Sequence, residues 1–136
     1  MYGFPSETER ETVDGLEFLR QLFEAGCLQS AYWHRFALTL HSPISRDPAA
    51  FGIEILPTPH ATFARNELPF NDSVHCDHAL LGEGLRKATY NFMHGVGLDF
   101  DVRSWFEKSV PRPSLARGHV ARLLAAGRKR PERPRG

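Results

Sequence analysis

His75, Cys76, Asp77 and His78 place four metal-ligating side chains in consecutive positions, and His60 and His94 add two further imidazoles. Zinc takes thiolate and imidazole ligands of this kind, but structural zinc sites show wider, paired spacings such as C-x₂-C with H-x₃-H. The plainer expectation is a polar loop in which Asp77 caps the helix that follows.

Trp33-His34-Arg35 sets a large ring beside a fixed cation. Two roles stay open for Arg35. Its planar fork suits the carboxylate of a substrate or cofactor, and it equally suits an internal ion pair with a neighbouring strand. His41 closes the same stretch, either as a cofactor or substrate contact or as a surface histidine. The only cysteines are Cys27 and Cys76. Nothing points to secretion, so both are expected as reduced thiols. Cys27, just after Gly26, reads as a small buried hydrophobe, and no Cys/His/Asn triad is indicated.

The 136 residues suffice for one core, not for two ordinary domains. No apolar run approaches the roughly 20 residues that span a bilayer. No basic-then-apolar leader opens the sequence. A soluble, cytoplasmic chain without membrane partners is expected. From residue 111 onward seven Arg and one Lys face a single Glu132, a surplus of seven positive charges. Since the whole chain carries +1, residues 1 to 110 hold a deficit of six. Clustered positive charge attracts phosphates whatever their sequence. The tail lacks the interleaved aromatics of single-strand binders, so it is read as solubilising and no specific nucleic-acid partner is expected.

These residues need elements to position them. Ser6-Glu7-Thr8-Glu9 and Thr8-Glu9-Arg10-Glu11 are overlapping S/T-x-x-E capping signals. Val13, Leu16, Leu19 and Phe23 then recur at helical spacing until Ala25-Gly26, which predicts a helix over residues 9 to 25. From Leu28 to His41 the period becomes two. Leu28, Tyr32, Phe36, Leu38 and Leu40 share one face of a long strand, and Gln29, Trp33, Arg35, Thr39 and His41 share the other. The apolar even face is expected on helix 9 to 25, with the mixed odd face toward water. Ser42-Pro43 ends the strand. Five prolines mark residues 43 to 76 as loop, with short strands expected at Phe51 to Leu56 and Thr62 to Ala64. Helices are expected from Asp77 to Gly95 and from Ser114 to Ala126, with a turn or two at Val102 to Glu107.

MYGFPSETERETVDGLEFLRQLFEAG resembles the late barrel segment of radical S-adenosylmethionine (radical SAM) enzymes, in which a Gly-Phe-Pro turn follows a strand and precedes a Glu-rich helix. CLQSAYWHRFALTLHSPI is similar to the next barrel strand of members with a cobalamin-binding domain. TYNFMHGVGLDFDVRSWF is similar to their C-terminal extension.

The resemblance implies an α/β chain: late units of a partial (β/α) TIM-type barrel over residues 1-45, an irregular, α-rich extension over 46-110, and a helix with a basic tail over 111-136. It implies cofactor contacts from Gly3, Phe4, Pro5, Glu7, Arg35 and His41, with the Gly3-Phe4-Pro5 turn beside the adenine of S-adenosylmethionine. Barrel sites gather at the C-terminal ends of strands, so residues 3 to 7, His41 and Ser42 are expected on one concave, polar face. The cluster-binding Cys-x-x-x-Cys-x-x-Cys signature is absent, and two cysteines cannot supply it. The chain is therefore expected to be the C-terminal part of such an enzyme, with Met1 an internal methionine. Its partner would be an N-terminal barrel half or a separately encoded subunit carrying the [4Fe–4S] cluster and any cobalamin. Alone it is expected to be inactive, to bind neither cluster nor S-adenosylmethionine tightly, and to be marginally stable or self-associating. The alternative is a non-catalytic interaction module, a degenerate barrel remnant with a basic tail.

Overall fold

In the computed structural model, residues 1–40, 42–56, 67–72, 74 and 76–128 are described. The first helix, α1 (Glu9–Glu24), starts where the second capping signal places it: the Thr8 hydroxyl accepts from the Glu11 N–H at 3.2 Å. It stops at Gly26, whose φ of +75° lies in the left-handed region, and the Cys27 N–H closes back on the Leu22 carbonyl at 2.9 Å. Its apolar stripe of Val13, Leu16 and Phe23 is buried against α3 (His78–Met93), which contributes Leu81, Leu85, Ala88 and Phe92. A 3₁₀ turn, Val102–Trp105, closes the same core with Val102 and Trp105.

On either side of α1 the backbone forms one parallel step. The Tyr2 N–H donates to His34 O at 3.0 Å and the Phe36 N–H to Tyr2 O at 2.7 Å, a parallel bridge between Tyr2 and Arg35. Parallel pairing requires a crossover of a dozen or more residues, and α1 is that crossover. The opening stub is thus paired in parallel with the segment after α1, but that segment is not the one long strand expected from Leu28 to His41. Residues 28–40 also form an antiparallel bridge from Thr39 to Glu67, with the Leu68 N–H on Leu38 O at 2.7 Å. The sheet named among the described residues is a two-stranded antiparallel one, β1 (Ile53–Ile55) with β2 (Phe70–Asp72), registered Glu54 opposite Asn71. The strand near Phe51 to Leu56 is therefore present as β1, and its partner is β2. The stretch Thr62 to Ala64 lies outside the described residues.

The facing of residues 28–40 departs from the expectation. Trp33, on the odd face, turns toward the helices: its indole N–H donates to Thr89 Oγ1 of α3 at 2.8 Å and its ring meets Tyr2 edge-on at 6.4 Å. Tyr32, on the even face, is 76% exposed. Phe36, Leu38 and Leu40 point instead into a second apolar cluster with Ile53, Leu68 and Phe70. The segment thus lies between two cores, with Leu28, Ala31 and Trp33 on the first and Phe36, Leu38 and Leu40 on the second. A buried indole needs both apolar contacts and a partner for its N–H, and Thr89 offers that partner on the helix side.

Between Ser42 and Gly52 the chain makes a four-residue helix, α2 (Pro43–Arg46), and a 3₁₀ turn, Pro48–Phe51. The last helix, α4 (His119–Arg128), starts five residues later than the expected Ser114. Residues 114–120 are held on α1 by side chains. Asp14 accepts from the N–H of Ser114 at 2.7 Å and of Leu115 at 3.1 Å; Gln21 donates to Ala116 O at 2.8 Å and accepts from the Val120 N–H at 2.8 Å. Backbone groups already bonded to α1 do not need a helical turn. Beneath them Arg20, fully buried, forks onto Glu17 at 2.9 and 2.7 Å and reaches Glu24 and Leu98 O. Such a buried pair holds geometry rather than adding much net stability. No helix among the described residues is long and apolar enough to cross a membrane.

Candidate functional site

The parallel step opens onto a cleft of about 1200 Å³, lined by Gly3 and Arg35 from its two strands, Glu54 and Asp72 from the β1–β2 pair, Glu67, and His78 from the first turn of α3. Gly3 adopts φ +76°, and a Cβ built there would lie 3.5 Å from Arg35 Cγ and 3.6 Å from His78 Cγ. Glycine suits that backbone and leaves both neighbouring side chains in van der Waals reach of one point. The Gly3 N–H is bonded to the Glu7 carboxylate, which closes the Gly-Phe-Pro turn.

Of the expected contact residues, Gly3 and Arg35 line the cleft together. Phe4 packs edge-on against Phe36 at 5.2 Å, Pro5 is buried, and Glu7 is engaged by Gly3. His41 lies outside the described residues, as do His60 and His75. Ser42 caps α2, accepting from the Ser45 N–H at 3.3 Å, and is not part of the cleft lining.

Asp77 caps α3 as expected, its Oδ1 accepting from the Leu80 N–H at 3.1 Å. Cys76 lines the cleft, but its thiol donates to Glu7 O at 3.4 Å and burial pushes its pKa up, which keeps it protonated. A protonated thiol is a poor ligand and a poor nucleophile. His94 stands at the far end of α3, edge-on to Tyr90 at 4.6 Å. Among the described residues no three His, Cys, Asp or Glu side chains gather around one point. Cys27 is exposed rather than buried, because the left-handed turn at Gly26 carries it off the end of α1.

The cleft holds polar groups that the sequence did not single out. Asp72 accepts from the Ser6 N–H at 2.8 Å and the Val74 N–H at 3.1 Å, tying the turn after Pro5 to β2. Glu54 and Glu67 add two more carboxylates. Both ring nitrogens of His78 are buried without a hydrogen-bond partner. No pattern marks Glu54 or Asp72, since β1 and β2 are only three residues long, whereas His78 already stood out in the run from His75 to His78.

For the cofactors of the radical SAM resemblance, the fit is partial. A glycine turn and an unpaired guanidinium beside a large cleft suit part of S-adenosylmethionine. The two cysteines, one exposed and one hydrogen-bonded, do not suit an iron–sulfur cluster. Comparison with protein-family models, with curated proteins and with solved structures finds no match to this chain.

Proposed function

We propose that this chain serves as a late barrel portion of a radical SAM enzyme, completing the S-adenosylmethionine pocket and the substrate side of a barrel whose [4Fe–4S] cluster is held by other polypeptide. The observation that carries this reading is the parallel bridge from Tyr2 to Arg35 across α1, the repeating unit of a (β/α) barrel. The edge of residues 28–40 supports it. His34, Phe36 and Leu38 use their backbone groups toward Tyr2 and Leu68, whereas those of Trp33, Arg35 and Ala37 bond to no described residue. An unpaired edge recruits another strand, as the next barrel strand would.

In this reading Gly3 gives close backbone approach to the cofactor and Arg35 orients a carboxylate. The cluster and S-adenosylmethionine, when bound, supply the reductive cleavage. This chain's residues position and enclose. Sequencing the DNA upstream of codon 1 tests the proposal. A frame that continues into CxxxCxxC, or a neighbouring gene that encodes it, is the expected result; a promoter and ribosome-binding site with no such gene nearby would sink it.

One observation favours the second reading, an interaction module. In α4 every residue after Val120 is exposed, with Leu123 57% and Leu124 37% accessible beside Arg122 and Arg128. Loss of partner capture on deleting residues 119–136, with no effect on S-adenosylmethionine turnover, would favour that module.

A further inference from the structure

The cleft contains two groups that the fold leaves without partners. Arg35 forms no ion pair and donates no hydrogen bond among the described residues, although three carboxylates line the same cleft. His78 has both ring nitrogens shielded from water and unpaired. A neutral imidazole carries one donor and one acceptor, and leaving a buried polar atom unmatched carries its desolvation penalty uncompensated. Native structures retain few such atoms, and those they retain call for an explanation. Packing in the first turn of α3 does not explain it, because Asp77 already caps that turn. No hydrogen bond fixes either ring nitrogen, and the ring itself belongs to the cleft lining.

We infer that Arg35 and His78, converging on Gly3, form a binding site for the carboxylate of a small organic ligand. The guanidinium supplies two parallel N–H donors matched to a carboxylate, and the imidazole supplies a third from the adjoining wall. Gly3 sits between the Arg35 stem and the His78 ring, since a Cβ there would meet Arg35 Cγ at 3.5 Å and His78 Cγ at 3.6 Å. The opposite wall selects among anions. Glu54, Glu67 and Asp72 repel a dianionic phosphate more strongly than a singly charged carboxylate. The inference deepens the reading of Arg35 proposed above and rests on it for the role of that residue, while acetate binding to this chain alone tests the site separately from assembly of a barrel.

The test is a titration of the full chain with sodium acetate and, separately, with inorganic phosphate, following the His78 ring C–H resonances by NMR. Acetate is expected to shift them saturably, and phosphate to bind more weakly at the same ionic strength. Arg35→Gln, at an exposed position, should weaken acetate binding by about tenfold or more. His78→Gln should weaken it less, read from the backbone amides of Gly3 and Phe36. Absence of a saturable acetate shift in the folded wild-type chain would overturn the site. Phosphate binding tighter than acetate would overturn the carboxylate assignment, and undiminished binding in both variants would overturn the residues named.

Discussion

Replacing Gly82 with alanine sets helix propensity against packing, and the two forecast opposite signs. Gly82 lies within α3, where alanine is favoured over glycine by about 1 kcal/mol. In the structure, however, a Cβ at this position would lie 2.8 Å from Tyr2 Cζ and nearer still to its hydroxyl. Tyr2 is 2% exposed, wedged against Trp33, with its hydroxyl accepting from Arg86 at 3.3 Å. The ring cannot swing aside without leaving the core, and overpacking of this kind costs about 1–3 kcal/mol. The net effect of Gly82→Ala is a loss of about 0–2 kcal/mol, the difference between the two terms. Urea unfolding followed by tryptophan fluorescence reads it, since Trp33 borders the ring that must move. Tyr2→Phe in the same background removes the nearest atom, and a favourable coupling of at least about 0.5 kcal/mol is expected. Gly127→Ala, where a Cβ meets nothing within 4 Å, should cost nothing. Stabilisation by Gly82→Ala with no coupling to Tyr2 would refute the reasoning, and with it the seat of Tyr2 against α3.

Gln21→Leu should cost about 1–3 kcal/mol, since Ala116 O and the Val120 N–H lose their partner; amide exchange at Val120 should quicken, and unchanged protection would contradict the clamp. Cys27 should react with iodoacetamide well before Cys76, whose thiol is half-buried, raised in pKa by desolvation and bonded to Glu7 O; equal rates in the two single-cysteine variants would show that shielding wrong. Arg103, donating to Asp101, holds that carboxyl at about 2 against an ordinary 3.8. A depressed acid contributes its full stability above 3.8 and loses it as pH falls through about 2. Carbon NMR of Arg103→Gln should show the Asp101 midpoint rising toward 3.8, and no movement would exclude the pair as its cause.

The elements with strong local signals were legible in the sequence. Thr8 and Asp77 cap helices because their side chains reach free N–H groups a few residues on, and α1 and α3 repeat apolar residues at helical spacing. What depended on distant partners was not. The period-two pattern after Leu28 did not become a long strand, since only isolated bridges form at Arg35 and Thr39, and periodicity does not say which side chains meet the helices, as the hydrogen bond from Trp33 to Thr89 shows. The late start of α4 follows from Asp14 and Gln21, a hundred residues earlier, which no local reading connects to Ser114. Gly3 and Arg35 were legible as neighbours through the β-α-β step. The part played by His78 was not, because it arises from what its ring lacks in space.

If, as proposed, this chain completes a radical SAM barrel, anaerobic complementation tests it most directly. The chain is mixed with a polypeptide that carries CxxxCxxC from an adjoining reading frame, the cluster is reconstituted, and loss of S-adenosylmethionine under reducing conditions is followed by mass spectrometry. The account predicts a stoichiometric complex and cleavage well above that of either polypeptide alone. Equal cleavage with and without the chain, and no complex on size exclusion, would contradict it.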